Sequence, residues 1–230
     1  MNRLRELCAS FGMGELYFAL WWRFGRTYEP KTAWSEEQKA FFVHIPKTAG
    51  TSLRSALGIT HQGYTHVPVR VLEQLYPEEL ESYYVFSVVR NPWDRMVSVF
   101  EHATQKGGWP KQQAWADRTI GTLDFAEFVR RLGNEPAYRR AVMGYDFFFP
   151  QRYFLEKRDG TVRCDRIIPF EQLSDAAALL REHFPQMEEL GHERRNASRK
   201  RYQDYYDDET RAIVGELYRQ DIALCDYRFD

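Results

Sequence analysis

The sequence predicts an α/β fold, a single three-layer domain around a central, mostly parallel sheet. Short apolar runs alternate with longer stretches of helical periodicity, the order expected of strands joined by crossover helices. The two clearest runs, Ala40-Phe41-Phe42-Val43-His44-Ile45 and Tyr83-Tyr84-Val85-Phe86-Ser87-Val88-Val89, are each followed closely by a proline (Pro46, Pro92) and then by a helical pattern. Apolar residues at 43% and aromatics at 16% of 230 residues supply ample material for a core.

In chain order, residues 1–39 read as an N-terminal helical extension and 40–230 as the main domain. The stretch Phe11 to Trp22 is too short for a spanning helix and is interrupted by Glu15. It fits a docked helix. It also fits a peripheral membrane contact within residues 11–26, through Tyr17, Phe18, Trp21 and Trp22 flanked by Arg23 and Arg26. The strand Ala40–Ile45 leads through Pro46 into a helix at Thr51–Leu57. Val71, Leu72 and Leu75 then mark a helical segment before the strand Tyr83–Val89. Trp93, Met96, Val97 and Phe100 fall at i, i+3, i+4 and i+7, so a helix leaves that strand with one apolar face, and Pro92 suits its first turn. Lys106–Thr122 lacks a clean period and reads as a long loop or lid, a place where an acceptor could bind. Asp124 caps a helix to Leu132, Arg163–Phe170 is a later strand, Asp175–Phe184 is helical, and one long amphipathic helix spans Asp207–Leu224.

Charge excludes some functions. Lys plus Arg (32) nearly cancels Asp plus Glu (33), which argues against bulk attraction to nucleic acid or an anionic membrane, so any anion site is local. Cys8, Cys164 and Cys225 are far apart and odd in number, and no histidines stand at ligand spacing; free thiols in a reducing compartment and no metal are expected. No cleavable leader is evident.

The chemistry concentrates after the first strand. In Pro46-Lys47-Thr48-Ala49-Gly50-Thr51-Ser52 the small residues allow close backbone approach, the helix start presents unpaired amides, Lys47 adds a mobile cation and Thr48, Thr51 and Ser52 add hydroxyls. This is an anion site, although a purely structural helix start could use the same residues. The nucleotide loop GxxxxGK[ST] is absent, which disfavours magnesium-dependent ATP chemistry. The second strand ends on another cation, Arg90, with Ser98 two helical turns later, a pair suited to a second phosphate.

The segments His44-Ile45-Pro46-Lys47-Thr48-Ala49-Gly50-Thr51-Ser52 and Val89-Arg90-Asn91-Pro92-Trp93-Asp94-Arg95 closely resemble the two signatures of the carbohydrate-type (Golgi-type and bacterial) sulfotransferase family, whose fold is P-loop-like. The similarity runs from about Phe41 onward. It takes in Pro150-Gln151-Arg152-Tyr153-Phe154-Leu155, Phe170-Glu171-Gln172-Leu173, Asn196-Ala197-Ser198, Tyr205-Tyr206 and Tyr218-Arg219-Gln220-Asp221-Ile222. The resemblance implies a sulfuryl donor, 3′-phosphoadenosine 5′-phosphosulfate (PAPS), with its 5′-phosphosulfate on the first segment and its 3′-phosphate on Arg90 and Ser98. It implies that Lys47 reaches the bridging oxygen and that the acceptor is a hydroxyl on a saccharide or glycolipid. Many relatives carry an Arg just before the Phe-Glu pair; here that stretch reads Ile168-Pro169-Phe170-Glu171, leaving Arg166 as the nearby alternative.

The acceptor must lose a proton, and histidine suits that at neutral pH. His66 lies between the two signatures, where relatives that sulfate sugars often place a catalytic His, and is the first candidate; His61 and Glu101 follow. His44 reads as buried structure, and His102, His183 and His192 as surface residues. In the basic run Arg194–Arg201, Ser198 and Arg199 are candidate cofactor contacts, and the rest could attract an anionic acceptor. A cytoplasmic, bacterial enzyme is the favoured setting. Two rivals remain: a nucleotide kinase on the same strand-loop-helix plan, and a non-catalytic module for a phosphonucleotide or anionic glycan.

Overall fold

The computed structural model describes residues 34, 35, 37–59, 66–105, 110–190 and 200–230. Most of the N-terminal extension, including residues 11–26, and His61, His192, Ser198 and Arg199 lie outside the described residues.

Among the described residues, four strands form one sheet in the order β1 (Trp34–Ser35), β2 (Ala40–Val43), β3 (Tyr84–Val89) and β4 (Arg166–Pro169). β1 runs antiparallel to β2; β2, β3 and β4 are parallel, in register Phe42↔Phe86 and Val88↔Ile168. Side chains alternate between faces along a strand. Ala40, Phe42, Phe86, Val88 and Ile168 accordingly share a core with α1 (Gly50–Ala56) and α9 (Leu173–His183), through Leu53, Ala56, Leu173, Ala177 and Leu180. Phe42 and Phe184 bracket Phe86, each with its ring centre 5.2 Å away. On the other face Phe41 meets the rings of Tyr76 and Tyr83, beside the short helices α2 (Val69–Leu75) and α3 (Pro77–Ser82). The result is helix, sheet, helix, the α/β class with a mostly parallel sheet that the sequence predicts.

Contacts within the chain define two compact units. The sheet unit includes the described residues up to Asn91 and resumes at Gln151; the helical unit takes Pro92–Pro150 and Lys200–Asp230. In the helical unit α4 (Pro92–Thr104), α5 (Pro110–Thr119), α6 (Phe125–Asn134), α7 (Pro136–Met143), α10 (Asp208–Leu217) and α11 (Arg219–Cys225) surround a core that includes Met96, Val97, Phe128, Phe148, Val214 and Tyr218. α8 (Gln151–Leu155) belongs to the sheet unit and packs on α2.

Three local expectations are corrected. The predicted loop 106–122 contains helix α5, because Trp115, Ala116 and Ile120 are drawn into the helical core and Trp115 stacks on Tyr145 with ring centres 4.3 Å apart. Pro110 at the helix start was the available signal. The single C-terminal helix is two, α10 and α11, parted at Tyr218, whose buried hydroxyl donates to the Phe148 carbonyl at 2.9 Å. The later strand is only four residues, since Asp165 turns its carboxylate onto the Val85 N–H (2.7 Å) and Arg163 reaches away to the Leu80 and Tyr83 carbonyls. Among the described residues no helix is long and apolar enough to cross a membrane.

Candidate active site

Parallel neighbours end on the same side of a sheet, and in open α/β folds ligands bind outside those carboxyl ends. β2 and β3 are joined there by more than their ladder, since Ser87 Oγ donates to the Val43 carbonyl at 2.7 Å. Beyond these ends lie the Pro46–Ser52 loop, Arg90-Asn91 and, after β4, Phe170-Glu171.

The loop turns through left-handed backbone at two residues that are not glycine: Lys47 at φ 68° and Ala49 at φ 64°. Alternating left-handed residues aim successive N–H groups into one concavity, a nest for an anion. Ala49 is the N-cap of α1 without a side-chain cap bond, and the first main-chain bond across it is Leu53 N–H to Ala49 C=O at 3.2 Å. The amides of Gly50 to Ser52 thus belong to the first turn, whose N–H groups have no partner within the helix itself. The hydroxyls do not act alike. Thr48 is fully buried and its Oγ1 donates to the Ile45 carbonyl at 3.0 Å, which braces the turn from inside; Thr51 is exposed and Ser52 half-buried. Lys47 is half-buried.

Gly50 is glycine for want of space. A Cβ there would lie 1.9 Å from Cδ2 and 2.1 Å from Nε2 of His44, so the loop's helix start is seated against that imidazole. His44 is 5% exposed, stacks on Phe42 and has, among the described residues, no hydrogen-bond partner for Nδ1. Burial first, then the nearby His66 and Arg54 charges, hold its pKa well below the usual histidine value. The expectation that His44 is buried structure holds.

His66 is brought to the same place. Its ring centre is 4.4 Å from that of His44, and its Nδ1 is 2.9 Å from the His44 main-chain carbonyl. A carbonyl can only accept, so Nδ1 carries a proton, and in the neutral ring Nε2 is then the acceptor nitrogen.

Arg90 is 8% exposed, with its guanidinium over the Phe170 ring at 4.5 Å and Nη1 donating to the Lys47 carbonyl at 3.2 Å. The two signature segments therefore touch. Gln151 and Glu171, neither of which the sequence reading gave a role, both hold this segment: Gln151 bonds both main-chain groups of Arg90, and Glu171 accepts from the Asn91 N–H at 2.9 Å. Arg166 does not replace the missing Arg before Phe170. It is exposed at the opposite end of β4, paired with Phe86 and not with Val89.

Other candidates lie in the helical unit. Ser98 is half-buried on α4, and Glu101 on the same helix accepts from the Tyr205 hydroxyl at 2.6 Å. Arg95, although within the second signature, is 1% exposed and donates to the Phe147 carbonyl at 3.0 Å, a core residue.

A family model described as the sulfotransferase family matches residues 30–228. Comparison with curated proteins and with solved structures gives no significant match. The matched span covers nearly all of the 230 residues and includes the loop after β2, the arginine after β3 and the Phe-Glu turn after β4; the chain belongs to the sulfotransferase family.

Proposed function

We propose that the chain transfers a sulfuryl group from PAPS to an acceptor hydroxyl on a saccharide or glycolipid. The observation that carries this reading is the 3.2 Å bond from Arg90 Nη1 to the Lys47 carbonyl. It puts a buried guanidinium beside a backbone nest in one unit, two anion-binding features for a donor with two anionic ends. PAPS fits that pair better than ATP, whose phosphates lie in a single chain.

In this reading the nest from Lys47 to Ser52 holds the 5′-phosphosulfate, and Arg90 takes the 3′-phosphate. The resemblance adds Ser98, Ser198 and Arg199 as further cofactor contacts. As the acceptor oxygen bonds to sulfur, the bond from sulfur to the bridging oxygen breaks and 3′,5′-ADP leaves. Lys47 brings its ammonium to the oxygen on which charge builds. His66 takes the acceptor proton at Nε2, and the His44 carbonyl supports the imidazolium through Nδ1–H. Little covalent work is asked of the protein, because in-line group transfer is served mainly by positioning and charge. The saccharide acceptor and a cytoplasmic setting are supported by the sequence resemblance and composition alone.

Thermal shift tests the donor. Without Mg²⁺, 3′,5′-ADP should stabilise the protein more than 5′-AMP or ATP does. Stabilisation only by ATP with Mg²⁺ would favour the kinase reading. Binding of 3′,5′-ADP without transfer of label from PAPS to any of a panel of glycans would favour the binding module.

A further inference from the structure

We propose that Gln151 is a positioning residue that sets Arg90 for the 3′-phosphate, assisted by Phe170 and Glu171. This rests on the reading that Arg90 binds that phosphate.

Arg90 is the first residue past the end of β3, and the last ladder pair before it is Val89↔Pro169. After Pro169 the neighbouring chain leaves the sheet as a 3-10 turn, Phe170–Gln172. The main-chain groups of Arg90 are therefore beyond the ladder, at a residue that is 8% exposed. Buried main-chain donors and acceptors require partners. Gln151 supplies both, at a separation of 61 residues: its Oε1 accepts from the Arg90 N–H at 2.9 Å and its Nε2 donates to the Arg90 carbonyl at 2.8 Å. With 1% exposure, the amide stands where another strand would.

Two bonds to one residue fix the peptide planes on either side of it, and with them the direction in which its side chain leaves. Asn91 is held next, its N–H on Glu171. At the far end of the side chain, Phe170 lies under the guanidinium and the Lys47 carbonyl takes one N–H. Stacking engages the face of a guanidinium, whereas its donors lie in the plane, so the ring sets the plane in which a phosphate can be met. Root and tip are both fixed. The neutral carboxamide of Gln151 both accepts and donates, whereas an ionised Glu accepts but cannot donate, and Met does neither.

Isothermal titration of 3′,5′-ADP and 5′-AMP without Mg²⁺ tests the proposal on wild type, Arg90→Ala, Gln151→Met and Gln151→Glu. Wild type should prefer 3′,5′-ADP, and Arg90→Ala should lose the preference. Gln151→Met should reduce the preference about tenfold while 5′-AMP affinity moves by no more than about twofold, the scale of one displaced charge-assisted hydrogen bond. A role in packing alone would weaken both nucleotides alike. The wild-type ratio in Gln151→Met, or equal weakening of both nucleotides, with the ratio lost in Arg90→Ala, overturns the positioning role and leaves Arg90 in place. No preference in wild type, or its survival in Arg90→Ala, overturns the 3′-phosphate reading and the positioning role together. If Gln151→Met does not fold, Gln151→Glu decides by the same ratio.

Discussion

Lys47 and Ala49 occupy left-handed backbone at which a residue other than glycine costs about 1–3 kcal/mol. The buried Thr48 bond to Ile45, the Arg90 bond to the Lys47 carbonyl and the seat of Gly50 against His44 hold the turn against that cost. A strained turn so firmly braced is consistent with amides that must be aimed before any ligand arrives. If Lys47 meets the charge that develops on the leaving oxygen, Lys47→Ala should lower kcat by roughly 10²–10³, the effect of losing one oxyanion donor. Near-normal turnover in single-turnover label transfer would remove it from that role. His66→Ala should cost about 10²–10⁴ in kcat if its Nε2 is the base, with the KM for donor little changed. Activity retained there but abolished in His61→Ala or Glu101→Ala would move the assignment. At Gly50 an alanine has no space, and Gly50→Ala should give either little folded protein or a loop that no longer binds 3′,5′-ADP. That Lys47 and Arg90 follow the ends of neighbouring strands was legible because a cation after a strand is a local pattern. Gln151 was not, since its meaning depends on a partner 61 residues away.

Among the elements, helix starts were the most legible feature because caps are written within four residues. Asp124 accepts from the Glu127 N–H at 2.8 Å and Glu127 returns the bond to the Asp124 N–H at 3.0 Å, a capping box at the head of α6. Asp124→Ala should destabilise the protein by about 1 kcal/mol in urea denaturation with nucleotide affinity unchanged; a loss above about 2 kcal/mol would mean that the carboxylate does more than cap. Helix α5 was hidden for the opposite reason. Its own sequence is polar and weakly periodic, and Trp115 and Ala116, with Ile120 just past its end, join it to the core, so tertiary packing and not local preference makes it helical. The break between α10 and α11 was hidden too. The apolar stripe continues through it, and what parts the helices is the reach of Tyr218 to Phe148, a residue outside the local window.

For the molecule as a whole, His44 links the loop, the sheet and the response to acid. The fold accepts its neutral form: burial foremost, then His66 and Arg54, keep its pKa well below 6.5. In the unfolded chain the same ring titrates near the ordinary value, about 6.5. Between the folded and unfolded values the unfolded state binds more protons, so stability is complete above that value and is lost as pH falls below it. One such group gives a slope of at most about 1.4 kcal/mol per pH unit. The wild-type protein should therefore be less stable in urea at about pH 5.5 than at about pH 7.5, by on the order of 1 kcal/mol from this group. His44→Asn cannot titrate there and should flatten that part of the profile, whatever it does to stability at pH 7.5. The comparison is of slopes, which separates the proton from the packing: removing the ring opens space beside Gly50 at every pH, whereas the charge matters only below the unfolded value. Equal slopes in the two proteins would show that His44 remains neutral over this range in both states or that other groups carry the acid response, and the link between the buried ring and stability would fall.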